Sequence, residues 1–326
     1  MKTNKIILSV ALLGLALSSC TDLGVDVDSQ YTQMPGTEAA INANMNDLFT
    51  RFRGTLGRRY MEATCLSSDE YTSVSYSGNW VDGYTYAHSA YHNYDYEDAV
   101  LDWMENIGRA NVLASEIAKS SYPEQKRYEA RVMRAFHTFL EMDMWGDVPI
   151  ADGDYVNEHG LDPNNRHPRA EVAKYIEKEL LEIIAADKLS TDVFGDYYGK
   201  PTKYMAQALL VKLYINWPVY TADAVENYDA ATAKNEKLND CIALCDELIK
   251  SGKFALGPDE YRFKFNWDNT ERVKAGTIKD FIYAMEYDTS TAQGMQWGRS
   301  HSYKDITKLD PSTFGEFLNN SGGAYM

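Results

Sequence analysis

Cysteine, histidine and positive charge are all in short supply. The 326-residue chain holds four Cys and six His, and its 32 basic side chains face 48 acidic ones for a formal charge of −16. That balance excludes nucleic acid as a partner: affinity for a phosphate backbone comes from Lys and Arg displacing counterions, and no basic run interrupts the acidic background. Setting Cys20 aside leaves Cys65, Cys241 and Cys245, an odd number that excludes a disulfide framework. Cys241 and Cys245 share a helical spacing, but without a His or further Cys nearby they read as small packing residues in a core. His88 and His92 have the same spacing without the Glu of a zinc hydrolase, and read as surface histidines. No metal and no cofactor is expected. Gly195-x-x-x-Gly199-Lys200-Pro201-Thr202 falls one residue short of a phosphate loop, is interrupted by Pro201 and comes after no apolar strand; it reads as a turn with Pro201 as the first residue of a helix. There is no G-x-S-x-G elbow and no recognisable Cys or His nucleophile motif, so no catalytic residue is assigned.

The one sustained apolar run is N-terminal and too short for the roughly 20 residues that span a bilayer. Lys2 and Lys5 precede the apolar stretch Ile6 to Leu17, and Leu17-Ser18-Ser19-Cys20 comes next. This is a secretory signal ending in a lipobox, which makes Cys20 the acylated N-terminus of a mature lipoprotein. Each buried CH₂ contributes about 0.8 kcal/mol, so several acyl chains hold a protein to a membrane without a transmembrane helix. Residues 1–19 are then a signal peptide and 20–34 a lipidated tether rich in Asp.

The composition is globular, with 44% hydrophobic and 25% charged residues. Apolar positions recur at three and four from Ala40 to Phe52, predicting a helix that starts near Thr37 and ends at Gly54. The period returns from Glu97 through Ile117, and again after Pro123, the expected first residue of a helix that closes on Gly146. So short a link makes these two helices an antiparallel hairpin. A second hairpin is opened by Pro168 and Pro201 and stopped by Pro218, and an amphipathic helix then runs from about 235 to Gly252. Helix starts recur at about seventy residues, roughly twice the tetratricopeptide unit of about 34. The reading is an all-α, tetratricopeptide-like scaffold over 35–253, with an irregular region at 254–326. The acids on the second hairpin, Glu177, Glu179 and Glu182, read as a solvated helix face.

Between the first two helical stretches, residues 54–95 lose the helical period and fill with Gly, Ser, Tyr, Asn and Asp. Loops this long inside compact domains are commonly functional. Of the aromatic residues 24 are Tyr, against 11 Phe and six Trp, so rings with a polar edge dominate. Asp69, Asn79, Trp80, Asp82 and Tyr84 place flat rings beside carboxylates and amides: a ring packs against the C–H face of a sugar while Asp and Asn take its hydroxyls. Trp297 and Arg299, from the aromatic C-terminal segment, are expected to complete this candidate glycan site. The bland alternative is that the rings anchor the loop to the helices.

Glu129-Ala-Arg-Val-Met-Arg-Ala-Phe-His-Thr-Phe-Leu-Glu-Met-Asp-Met-Trp-Gly-Asp-Val-Pro-Ile150 resembles the E-A-R-x-L-R-A-x-x-Y-F-x-L…x-G-D-V-P-L signature of the SusD/RagB family of outer-membrane nutrient-binding lipoproteins. Gly199 to Tyr214 and Cys245 to Leu256 are similar to two further family segments, and the lipobox fits the same family. The resemblance runs from Cys20 to about Tyr287 and implies the N-terminal part of such a protein. It further implies tetratricopeptide-like helix pairs carrying an irregular ligand-binding region, and binding without catalysis. The resemblance also implies outer-membrane, cell-surface localisation, and delivery of an oligosaccharide or polysaccharide to a SusC-like TonB-dependent transporter. In the family's starch binders an acid, a Trp and an Asn of the matching loop hold the sugar, which corresponds here to Asp69, Trp80 and Asn79. Two alternatives stay open: a peptide-binding, RagB-like member, and a surface glycoside hydrolase, whose chemistry needs only two carboxylates about 5 to 10 Å apart.

Overall fold

The computed structural model describes residues 34–51, 60, 97–152, 154–155, 158, 166–224, 227–257, 263–264 and 268–285. Its helices all belong to the unit Gly36–Met326. Helix α1 spans Glu38–Thr50, α2 Glu97–Lys119, α3 Glu124–Trp145, α4 Arg169–Ala186, α5 Lys203–Ile215, α6 Trp217–Tyr220, α7 Leu238–Lys250 and α8 Asn269–Lys274, with a 3₁₀ turn at Gly195–Tyr197. The described residues form an all-α, tetratricopeptide-like stack, in which α3 packs between α2 and α4, and α5 between α4 and α7. A backbone bridge, His167 N–H to the Val148 carbonyl at 3.0 Å, ties the end of the first hairpin to the start of the second.

Local chemistry sets the helix ends. Thr37 caps α1 by accepting a hydrogen bond from the Ala40 N–H at 3.3 Å, and Thr202 does the same for α5 with Met205. The helix expected to reach Gly54 ends at Thr50. Pro123 and Pro168 stand at the N-cap, one residue before the expected first position, with extended ψ near 140°. Their carbonyls start the helical ladder: that of Pro123 accepts from Arg127, and that of Pro168 accepts from Glu171 and Val172. Pro201 likewise precedes the cap instead of opening α5, because Thr202 supplies the side-chain oxygen that a proline lacks. The Arg169 N–H of α4 is taken by the Asp147 carboxylate at 2.9 Å. Gly146 ends α3 at φ 76°, a left-handed conformation open to glycine without strain. Pro218 does more than stop α5; it lies in the first turn of α6, where its missing N–H leaves nothing unsatisfied. The segment from Gly195 to Thr202 is indeed a turn leading into a helix.

The core lies where α2, α3, α4 and α5 meet. Ile107, Ala110, Ala114 and Ile117 of α2 and Ala130, Met133 and Ala135 of α3 are all fully buried, and small residues let helices approach. Ile176, Leu180 and Ile183 of α4 join Leu209, Leu210 and Leu213 of α5, each such side chain contributing about 1.5–3 kcal/mol. Among the described residues the packing of α7 is one-sided: Cys241 is buried, with its thiol 3.7 Å from the Val211 carbonyl, while Ile242 and Ile249 are exposed. Cys245, expected in the core beside Cys241, is only half-buried.

Candidate functional site

Cys20, Asp69, Asn79, Trp80, Asp82, Tyr84, Trp297 and Arg299 lie outside the described residues, as do His88 and His92. One ring of the 54–95 stretch is described. The Tyr60 hydroxyl donates to Asp143 Oδ2 at 3.0 Å, and Tyr220 of α6 donates to the other oxygen of the same carboxylate at 2.7 Å. Asp143 thus pins this tyrosine to the end of α3, the anchoring role that was the alternative for the aromatic loop.

The described residues enclose a cleft of about 580 Å³ between the end of α2, the first half of α3 and one face of α4. Its floor is an ionic seam. Arg131 grips Glu179 with two parallel hydrogen bonds, Nε to Oε1 at 2.9 Å and Nη2 to Oε2 at 2.7 Å, and reaches Glu182 at 2.8 Å. Arg134 Nη2 meets Glu179 Oε1 at 2.5 Å and Asp152 Oδ2 at 3.1 Å, while its Nη1 donates to Ser115 Oγ at 3.0 Å. Tyr175 adds a hydrogen bond to Asp152 at 2.9 Å.

Burial and pairing pull against each other here. Burial alone would discharge Glu179, yet the hydrogen bonds and charges of Arg131 and Arg134 outweigh it and hold the carboxyl below its ordinary range. The same pairing keeps both guanidiniums charged against the penalty of their own burial. The Tyr175 hydroxyl is pushed up chiefly by burial; the Arg134 charge opposes the shift, and Glu179 and Asp152 add to it. At the rim, Tyr155 makes T-shaped contacts with Tyr175 and His167, centroids 5.3 and 5.2 Å apart, and hydrogen-bonds Glu171.

Glu179 corrects the sequence reading that placed it on a solvated face. It lies three residues after Ile176 and four before Ile183, on the stripe that α4 turns inward, and it is 6% exposed. That spacing was the available signal; what the helix pattern lacked was the identity of the cations opposite.

Among solved structures, the chain is similar to surface glycan-binding protein A from Bacteroides fluxus, with TM-score 0.54 and 17% identity over 72% of this chain and 49% of that one. It is also similar to a SusD-like protein from Bacteroides fragilis NCTC 9343, with TM-score 0.55 and 18% identity over 80% and 47%. The fold is SusD-like. A third such structure is surface glycan-binding protein A from Bacteroides thetaiotaomicron in complex with laminarihexaose, with TM-score 0.54 and 14% identity over 77% and 50%. The chain spans about half the length of these SusD-like structures. No protein-family model and no curated protein matches it.

Within this SusD-like scaffold the E-A-R-x-x-R segment takes on a physical role. Arg131 and Arg134 bolt the first hairpin to Glu179 of the second. Glu129, fully buried, is held from its own helix by Gln125 at 2.9 Å and Lys126 at 2.8 Å. Among the described residues no group of His, Cys, Asp and Glu is arranged to hold a metal, and no helix is long and apolar enough to cross a membrane.

Proposed function

We propose that this chain is a SusD/RagB-family lipoprotein of the bacterial cell surface that captures an oligosaccharide and passes it to a SusC-like TonB-dependent transporter, without acting on it as an enzyme. The observation that carries the reading is the SusD-like fold shared with proteins described as surface glycan-binding, one of them in complex with laminarihexaose. Two features of the sequence support it independently. The lipobox at Cys20 supplies the outer-membrane anchor, and the loop with Asp69, Asn79, Trp80, Asp82 and Tyr84 mixes rings with hydrogen-bonding side chains as a neutral sugar requires. Trp297 and Arg299 complete that site in this reading. Residues 35–253 are its scaffold, 1–19 and 20–34 its signal and tether, and 254–326 part of the ligand-binding region.

A ring stacked on a sugar contributes about 0.5–1.5 kcal/mol beyond its buried area, and a millimolar ligand needs only about 4 kcal/mol in all. Weak single sites suffice, since many copies facing a polymer gain by effective concentration. Trp80→Ala should weaken glycan binding at least tenfold in calorimetry while leaving the melting temperature nearly unchanged. Equal affinity in both proteins would make Trp80 a loop anchor, and new reducing ends on incubation with glycans would replace the binding reading with a hydrolase.

A further inference from the structure

We propose that the cleft between α3 and α4 is a second ligand site, separate from the aromatic loop, and that it takes a neutral, polyhydroxylated ligand, an uncharged saccharide. The choice of a saccharide rests on the glycan-binding function proposed for the chain; the cleft and the neutrality of its ligand rest on the structure.

Charge comes first. The lining carries six carboxylates and five cations, so neither an anion nor a cation finds a field of the opposite sign. Seven of those eleven charges are paired with one another: Arg131, Arg134, Glu179, Glu182 and Asp152 in the seam, and Lys119 with Asp154. Paired carboxylates keep lone pairs free, and Lys174 and Lys178 of α4, exposed at the rim, have no carboxylate within ion-pair distance among the described residues. The wall therefore offers both donors and acceptors with almost no net charge. A hydroxyl both donates and accepts, and is the group that such a wall suits.

Tyr155, half-buried at the rim, adds a ring for the apolar face of a sugar. The volume of about 580 Å³ lies within the roughly 300–1,000 Å³ of small-molecule sites.

The test is hydroxyl-radical footprinting of Tyr155 and Tyr175 in the full chain, read by mass spectrometry. Millimolar laminarihexaose, maltohexaose, xylohexaose and mannohexaose are the probes, with hexagalacturonate as the acidic comparison and calorimetry run in parallel. At least one neutral hexasaccharide should protect Tyr155 several-fold. That protection should survive Trp80→Ala and need at least tenfold more saccharide in Lys178→Glu, an exposed substitution whose fold a thermal melt verifies. A neutral saccharide that binds in calorimetry but leaves Tyr155 unprotected overturns the cleft site and leaves the glycan-binding reading standing. Protection abolished by Trp80→Ala overturns the separateness of the two sites, and protection by hexagalacturonate alone overturns the neutral ligand. If none of the five probes binds, both readings fall.

Discussion

Helix α3 buries polar side chains at two places two turns apart, and it treats them in opposite ways. In its first half Arg134 lies against Glu179 and Asp152, with Arg131 closing the other side of Glu179, so every buried charge meets its opposite. In its second half Glu141 is 5% exposed, and its hydrogen bond is to Asn111 Nδ2 of α2 at 3.5 Å, with no cation in ion-pair distance among the described residues. Burial therefore pushes the Glu141 carboxyl up to about 8, and pushes the neighbouring His137 down to about 3. Both are neutral at pH 7. A protein interior tolerates a charge that is paired or a titratable group that is discharged. One helix uses the first solution at the seam between hairpins and the second inside a hairpin.

The largest effect should come from breaking the paired cluster. Glu179→Ala strands two guanidiniums, one of them buried, and should cost about 3–5 kcal/mol in a denaturant titration; a loss under 1 kcal/mol would mean that water already solvates the seam. Glu141→Gln should act in the opposite direction. The Glu141 carboxyl keeps its proton up to about pH 8 in the folded chain but titrates near its ordinary value of 4.5 when unfolded. The folded state thus binds more protons between those values, and stability falls as pH rises through that window. Glutamine, which cannot ionise, should stabilise the protein by on the order of 1–3 kcal/mol at pH 8 and by almost nothing at pH 5. Parallel stability curves for wild type and Glu141→Gln across that range would contradict the buried, unpaired carboxyl. Glu179 has the reverse linkage: its depressed carboxyl contributes above the unfolded value and is lost as pH falls below about 4.5.

The smallest effect belongs to the exposed pair Lys119–Asp154, 2.7 Å apart with side chains 46% and 78% exposed. Lys119→Ala should change stability by no more than about 0.5 kcal/mol, since solvent screens the attraction and two long side chains give up freedom to form it. A larger loss in thermal melts would erase the contrast between buried and exposed pairs.

Much of the scaffold was legible because helices announce themselves locally. The three- and four-residue recurrence of Ile107, Ala110, Ala114 and Ile117, the Thr37 cap and the Gly146 stop are all short-range facts, and the structure places those elements within a few residues of expectation. Pro123 and Pro168 were off by one because a proline at the N-cap and one at the first helical residue share the same φ, and only ψ separates them. The proposed loop site was legible as chemistry alone: a mixture of rings, amides and carboxylates between two helical stretches. The cleft was not legible, since its lining comes from α2, α3, α4 and the 152–158 segment, which only packing brings together.

Neighbours along the chain were enough to determine the class of this protein: all-α hairpins, an acidic surface, a lipobox at Cys20 and a SusD-like signature around Arg131 and Arg134. Helical period, capping and the short motif ahead of Cys20 are all local. Which charges are buried was left to tertiary packing. Glu177, Glu179 and Glu182 look alike in sequence, yet only Glu179 meets Arg134, 45 residues earlier, inside the seam. The physical reason is that the state of a carboxylate depends on the groups opposite it, and for Glu141 and Glu179 those groups belong to other helices.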